Sequence, residues 1–178
     1  MPADSLTKIA REIQKCKKCR LWKSRIKAVP GEGPAPAGIM FIGQAPGERE
    51  NQTGRPFIGP AGKFLDELLK QNGINRKKVF ITSPVKCFPP GNRKPKPDEL
   101  KACRPYLDRQ LAFVKPKTIV LMGRVAFHTF FPEKDLKKEG GKWLMKNGFL
   151  FLPTYHPAAG MRFPKVRKVM GKDFKKLK

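Results

Sequence analysis

The sequence predicts an α/β protein whose parallel sheet is covered by helices on both sides. Four short apolar runs have the composition of buried strands, and a stretch with helical spacing of apolar residues separates each run from the next. Such alternation is typical of parallel sheets, because every crossover helix returns the chain to the same edge. At 178 residues the chain is the size of one ordinary domain, so we expect a single domain, residues 1–178, with a basic C-terminal tail.

The elements follow one another in a regular order. The first is a helix over residues 4–15, where apolar residues recur at helical spacing and Asp4 or Ser5 provides the N-cap. After Phe163 the chain is almost wholly basic and forms either a last helix or a frayed arm. Between these ends we predict strands at 38–43, 78–82, 118–123 and 149–153, and helices at 60–71, 97–114 and 123–131.

The predicted sheet places the functional segments along one edge. Ligands of parallel α/β sheets bind beyond the carboxyl ends of the strands. The segments that follow the four strands should therefore lie together, namely residues 44–57, residues 83–86, Arg124 and residues 155–157.

The loop after the first strand, with the sequence GQAPGERENQTGRPFIG, is rich in glycine, which suggests a phosphate-binding loop. The pattern excludes the two common kinds. A Walker loop needs Ser or Thr after Gly62-Lys63, where the chain has Phe64, and it needs a glycine where the chain has Phe57. The dinucleotide pattern G-x-G-x-x-G is also missing, so this loop has another ligand.

The charge of the chain indicates a polyanionic partner. Lys and Arg outnumber Asp and Glu by 39 to 14, for a formal net charge of +25. Nucleic acid is the commonest such partner, although a ribosome or an anionic membrane surface would use the same charge, and a lysine-rich surface also serves solubility or thermal adaptation. No segment resembles a signal peptide or a membrane span, so we expect a soluble, cytoplasmic, nucleoid-associated protein.

The four cysteines form two pairs. Cys16 and Cys19 make a C-x-x-C, and fifteen residues separate Cys87 from Cys103. In a reducing compartment such pairs favour a four-thiolate metal site over disulfides or four unconnected buried thiols. Spacing alone does not separate zinc from an iron–sulfur cluster. With all four positions taken by protein, either metal would be chiefly structural.

These motifs together resemble the family-four uracil-DNA glycosylases, the iron–sulfur class of the uracil-DNA glycosylase superfamily. The resemblance runs from Cys16 to Arg162 and includes CKKC, GEGP, GQAPGERENQTGRPFIGPAGKFLDELL, VKCFPPGNRKPKPDELKACRPYL and HPAAGMR, in that order. It implies a three-layer α/β/α fold with a four-stranded parallel sheet. It also implies a [4Fe–4S] cluster on Cys16, Cys19, Cys87 and Cys103.

The resemblance also implies what the glycine-rich loop holds. A base must leave the duplex before it can be excised, so the loop would receive a flipped-out base. Phe57 would stack on its ring, and Gln44, Ala45 and Pro46 would shape the pocket beneath it. His156 would donate a hydrogen bond to the departing base anion.

A polar group of the loop would then position the attacking water. Glu48 and Glu50 are the acidic residues available for this role, and we favour Glu50. Gln44 is a further catalytic candidate of the same loop.

Two positions depart from the family pattern. The family usually has GEAPG, whereas this chain has Gln44 in place of that glutamate, as in the GQ of family-one enzymes. The family also has an asparagine that reads the uracil edge, where this chain has Ser83. Both changes bear on which base is accepted.

The sequence therefore predicts a monomeric DNA glycosylase that hydrolyses the N-glycosidic bond of uracil, or of a related deaminated or damaged base, and so initiates base excision repair. Two alternatives stay open. One is a non-catalytic iron–sulfur protein that binds nucleic acid. The other is a bifunctional glycosylase and lyase that uses a lysine amine as its nucleophile.

Overall fold

The computed structural model describes residues 5–178. Its helices are α1 Leu6–Lys15, α2 Glu48–Thr53, α3 Pro60–Gln71, α4 Pro97–Val114, α5 Arg124–Phe130, α6 Leu136–Glu139, α7 Pro157–Arg162 and α8 Pro164–Lys175. Its strands are β1 Ile39–Ile42, β2 Phe80–Thr82, β3 Thr118–Met122, β4 Leu144–Lys146 and β5 Phe149–Thr154. No helix within the described range has the length and apolar character needed to span a membrane.

The sheet has five strands in the order β2-β1-β3-β5-β4. The four predicted strands pair in parallel, with Ile42 opposite both Thr82 and Leu121. The predicted four-stranded sheet is one strand short, because β4 adds an antiparallel edge strand beside β5. The two are joined by Asn147-Gly148, both at positive φ (50° and 78°), which is the geometry of a two-residue hairpin turn.

Side chains alternate across the sheet, and so each face has its own core. Met40 and Ile42 of β1 point to one face, where they pack in a cluster with Leu107 and Phe127 of α4 and α5. Phe41 points to the other face and packs against Phe174 of α8, with ring centroids 5.7 Å apart. The result is the predicted three-layer α/β/α arrangement.

The two ends of the chain are helical. Ser5 caps α1, since its hydroxyl accepts the Lys8 backbone N–H at 3.1 Å, and the other predicted cap, Asp4, lies outside the described residues. The basic tail is the helix α8 rather than a frayed arm. Its buried residues Met170 and Phe174 anchor it to the sheet.

Candidate active site

A cavity of about 130 Å³ opens beyond the carboxyl ends of β1, β2 and β5, as predicted for this edge of the sheet. We call it the base cavity. Gln44 and Glu48 do not line it, and Glu48 is exposed on the surface. The cavity brings together six of the residues singled out in the sequence: Ala45, Pro46, Glu50, Phe57, Ser83 and His156.

Phe57 is held rigidly in the wall of the base cavity. Its backbone has a φ of 50°, which is uncommon for a residue other than glycine. Two glycines make room for it. A Cβ at Gly43 would lie 2.4 Å from the Phe57 ring, and one at Gly62 would lie 1.9 Å from the Phe57 carbonyl oxygen. The ring therefore offers a fixed flat surface to whatever enters the cavity.

His156 lies beside Phe57 in the lining of the base cavity, with ring centroids 5.9 Å apart and the rings tilted by 34°. It lies at the N-cap of α7, where its Nδ1 accepts the backbone N–H of Ala158 at 3.2 Å. Burial lowers the pKa of His156 to about 4, so the ring is neutral near pH 7. Because Nδ1 is the acceptor, the single ring proton lies on Nε2, and His156 is a neutral hydrogen-bond donor.

Glu50 is buried and ties together the two ends of the glycine-rich loop. Its Oε1 accepts the backbone N–H groups of Ile58 and Gly59, both at 2.8 Å. Its Oε2 accepts the N–H of Gly47 at 3.1 Å. Three backbone donors thus occupy the carboxylate that the sequence suggested for activating water.

Ser83 forms another part of the wall and rests on a buried lysine. Lys86 is 1% exposed, and its ammonium donates to the Ser83 carbonyl at 2.7 Å, the Thr82 hydroxyl at 2.6 Å and Gln110 Oε1 at 2.7 Å. Burial lowers the pKa of Lys86 to about 8. These acceptors use all three ammonium protons, and Lys86 does not line the base cavity, so it is not placed to act as a nucleophile.

Asn92 lines the base cavity and was missed in the sequence. It lies in the turn Pro90–Asn92, is exposed, and has a φ of 56°. Within residues 5–178 its side-chain amide makes no hydrogen bond. Asparagine tolerates the left-handed backbone region better than most residues, so the sequence indicated at most a turn at this position and not a cavity residue.

The four cysteines line a second cavity. It lies between α1, α4 and the loop segments that carry the cysteines outside these helices. Hydrogen bonds reach the sulfurs from the Arg25 guanidinium (3.2 Å to Cys87 Sγ), from the Tyr106 hydroxyl and from backbone groups of Leu21 and Lys86. We call this second cavity the four-cysteine cavity, after the four cysteines that line it, Cys16, Cys19, Cys87 and Cys103.

Burial raises the pKa values of Cys19, Cys87 and Cys103, the last to about 11, so these thiols keep their protons until a positive charge joins them. Among the described residues, no three His, Cys, Asp or Glu side chains converge closely enough to hold one ion.

The surface beside the base cavity is basic. Helix α8 follows α7 directly and contacts it. The exposed residues of α8 include Lys165, Arg167, Lys168 and Lys172. A wider groove of about 540 Å³ shares His156 with the base cavity, and its lining includes Arg124, Lys137 and Tyr155. A strand of nucleic acid that places one base in the base cavity would find cations in this groove.

Comparison with known proteins agrees with this geometry. The family model described as the uracil DNA glycosylase superfamily matches residues 30–178. A type-4 uracil-DNA glycosylase of Sulfurisphaera tokodaii is 48% identical over 185 residues, which covers 98% of this chain and 84% of that protein. The type-4 uracil-DNA glycosylase of Archaeoglobus fulgidus is 41% identical, with 98% of this chain and 92% of that protein covered.

A more distant relative is a type-5 uracil-DNA glycosylase of Thermus thermophilus. It is 34% identical to this chain, and the alignment covers 73% of this chain and 68% of that protein.

Proposed function

The chain belongs to the uracil DNA glycosylase superfamily, and we propose that it is a DNA glycosylase that flips uracil out of DNA and hydrolyses its N-glycosidic bond. One observation carries the proposal. The flat ring of Phe57 and the imidazole of a neutral His156, with its proton on Nε2, lie 5.9 Å apart in the lining of one cavity of about 130 Å³, next to a groove lined by Arg124 and Lys137. Stacking surface, donor and phosphate-binding charge are the three parts that such a reaction needs.

The chemistry follows from where charge develops. The bond between the sugar C1′ and the base nitrogen breaks, and both its electrons leave with the base. A donor near the base oxygen lowers the energy of that anion, which is the role we assign to His156 Nε2–H. A neutral donor suits this task, since it stabilises the anion without transferring its own proton. Water then bonds to C1′ and releases a proton to solvent.

The water needs a polar partner with free hydrogen-bonding capacity. Glu50 was our sequence-based choice, but its carboxylate already accepts three backbone N–H groups, so we assign it to holding the loop. Glu48 is exposed outside the lining. We propose instead that the amide of Asn92 positions the water at the mouth of the cavity. A catalytic role for Gln44 stays a prediction.

The cysteine site fits a [4Fe–4S] cluster held by Cys16, Cys19, Cys87 and Cys103. Hydrogen bonds from N–H and O–H groups to the sulfurs suit bound thiolates. A bound cluster would stabilise the segments that carry the cysteines. The residues of the base cavity would carry out the reaction at the base.

We further propose that the protein acts as a monomeric, single-domain enzyme on the DNA of the nucleoid. The test is single-turnover release of base from a uracil-containing duplex. Release at the expected site supports the proposal, whereas tight DNA binding without release identifies a non-catalytic binding protein. Borohydride trapping of a covalent enzyme–DNA adduct would reveal the lyase alternative.

A further inference from the structure

The wall of the base cavity depends on one side chain that does not touch the cavity. The ammonium of Lys86 lies behind Ser83 and donates to its carbonyl oxygen at 2.7 Å. That bond fixes the direction of the Ser83 backbone carbonyl, and Ser83 lines the base cavity. Ser83 is itself only 6% exposed, so the segment is confined on its other sides.

The same ammonium reaches a second segment of the wall through Gln110. Lys86 Nζ donates to Gln110 Oε1 at 2.7 Å, and Gln110 Nε2 donates to the Pro30 carbonyl at 2.7 Å. The neighbouring residue, Val29, lines the base cavity and donates its backbone N–H to the Lys86 carbonyl at 2.7 Å. Two wall segments that are distant in sequence are therefore joined through one buried residue.

We propose that Lys86 is a positioning residue for base selection, which sets the separation of the Ser83 and Val29 segments and so the size and shape of base that the cavity accepts. The inference rests on the proposed function, because it assigns a determinant of specificity to that same site. A buried ammonium with three well-placed acceptors is costly to lose, since each acceptor is then left without its donor. Without it the two segments keep only the Val29 backbone bond and the bond from the Thr82 hydroxyl to the Pro30 carbonyl at 2.9 Å, so their separation is less tightly fixed.

The variant Lys86→Met removes the three donors and keeps a side chain of similar length. We expect the ratio of single-turnover rates for uracil over hypoxanthine to fall about 10-fold, because a looser wall admits the larger purine. A lysine with a purely structural role would lower stability and leave this ratio unchanged, since the ratio does not depend on how much enzyme is folded. The matched control is Lys101→Met, the same change at an exposed position of α4.

Affinity measurements keep the test independent of excision. Duplexes that carry 2′-fluoro-deoxyuridine or 2′-fluoro-deoxyinosine resist cleavage. We expect the affinity for the first duplex, relative to the affinity for the second, to fall in Lys86→Met as well. If wild-type protein releases no uracil, the proposed function fails while the affinity ratio still tests Lys86. If wild-type protein releases uracil and both ratios stay within 2-fold in Lys86→Met, the inference about Lys86 is overturned alone.

A second variant covers the case in which Lys86→Met does not fold. Gln110→Met removes the bond from Gln110 to the Pro30 carbonyl, which keeps the Thr82 hydroxyl as its donor, and it leaves the bond between Lys86 and Ser83 in place. We expect it to shift both ratios in the same direction by a smaller factor. Ratios equal to those of wild-type protein would overturn the inference.

Discussion

The base cavity and the four-cysteine cavity are completed in different ways. Around the base cavity the protein satisfies its own buried polar groups: Glu50 in the lining accepts three backbone donors, Lys86 behind the wall has three acceptors, and Ala158 fixes the tautomer of His156. In the four-cysteine cavity burial raises thiol pKa values, so the thiolates form only together with a bound cation. The first site is preorganised without a ligand, whereas the second depends on what it binds.

This difference predicts that changes in the two cavities will have opposite signatures. A change in the four-cysteine cavity should damage the fold and leave the chemistry of the folded molecules intact. A change at a donor in the base cavity should damage the chemistry and leave the fold intact.

The largest effect is expected for Cys87→Ser. Wild-type protein should be yellow-brown with roughly four irons per chain, and the variant should lose iron and at least ~4 kcal/mol of stability, because metal binding and folding are coupled. Iron analysis, the visible spectrum and thermal unfolding measure these changes. A colourless wild-type protein with one tightly bound zinc would refute the cluster.

The next largest effect is expected for His156→Ala. Loss of one donor to the leaving anion should slow base release ~10²–10³-fold, while DNA affinity and its salt dependence stay nearly constant. Single-turnover assays and binding titrations measure the two quantities. The control is the other histidine, His128, which is exposed on α5, and His128→Ala should release base at the wild-type rate. Full activity in His156→Ala would show that the catalytic assignment is wrong.

A third test distinguishes two roles of Glu50, namely holding the glycine-rich loop and activating water. Glu50→Gln places an amide N–H among backbone donors, so we expect a loss of about 2 kcal/mol in unfolding free energy together with slower base release. Glu48→Gln, at an exposed position two residues away, should change neither. If Glu50→Gln abolishes base release at wild-type stability, Glu50 is the residue that activates water.

A smaller effect is expected for Ser83→Asn. An asparagine presents both a carbonyl and an amide to the edge of uracil, whereas serine is too short to do so. We therefore expect wild-type protein to accept other lesions, such as hypoxanthine, xanthine or a modified cytosine. Ser83→Asn should shift preference toward uracil by about 10-fold.

Excision rates over a panel of duplexes with different lesions measure that preference. Gln44, the other position that departs from the family pattern, would be the alternative residue to read the base edge, but it does not line the cavity. Strict uracil specificity that Ser83→Asn leaves unchanged would argue against this role for position 83.

The smallest effect concerns acid stability. Folding lowers the pKa of His156 to about 4, so the unfolded chain binds this proton more tightly and stability falls as pH drops from about 6.5 toward 4. We expect His156 to account for about 1 kcal/mol of lost stability at pH 5.5, measured as the difference between wild-type protein and His156→Gln. Equal losses in the two proteins would mean that the ring is already charged in the fold.

The sequence predicted the elements whose signal is local. Helices α3 and α4 begin and end at the predicted residues, because their apolar residues repeat at helical spacing over twelve residues or more. The rule for parallel sheets also brought His156, Phe57 and Ser83 to one cavity. Strand β4 was missed because three residues carry little pattern, although Asn147-Gly148 is a strong hairpin signal in retrospect.

The roles of Glu50 and Asn92 could not be read from the sequence. The carboxylate of Glu50 is occupied by Ile58 and Gly59, eight and nine residues further on, and only the folded loop brings them together. Asn92 reaches the base cavity from a turn more than thirty residues away from Phe57 in the chain, and no local pattern indicates such an approach.

The close packing around Phe57 restricts how this scaffold can evolve. Any side chain at Gly43 or Gly62 would collide with Phe57, and at Gly62 the collision is with backbone, which cannot rotate away. Substitutions that change the cavity are therefore more easily accepted at Ser83, which is not part of the packing of Gly43 and Gly62 against the Phe57 ring. A lineage can thus acquire a new lesion preference in single steps while the stacking surface stays fixed.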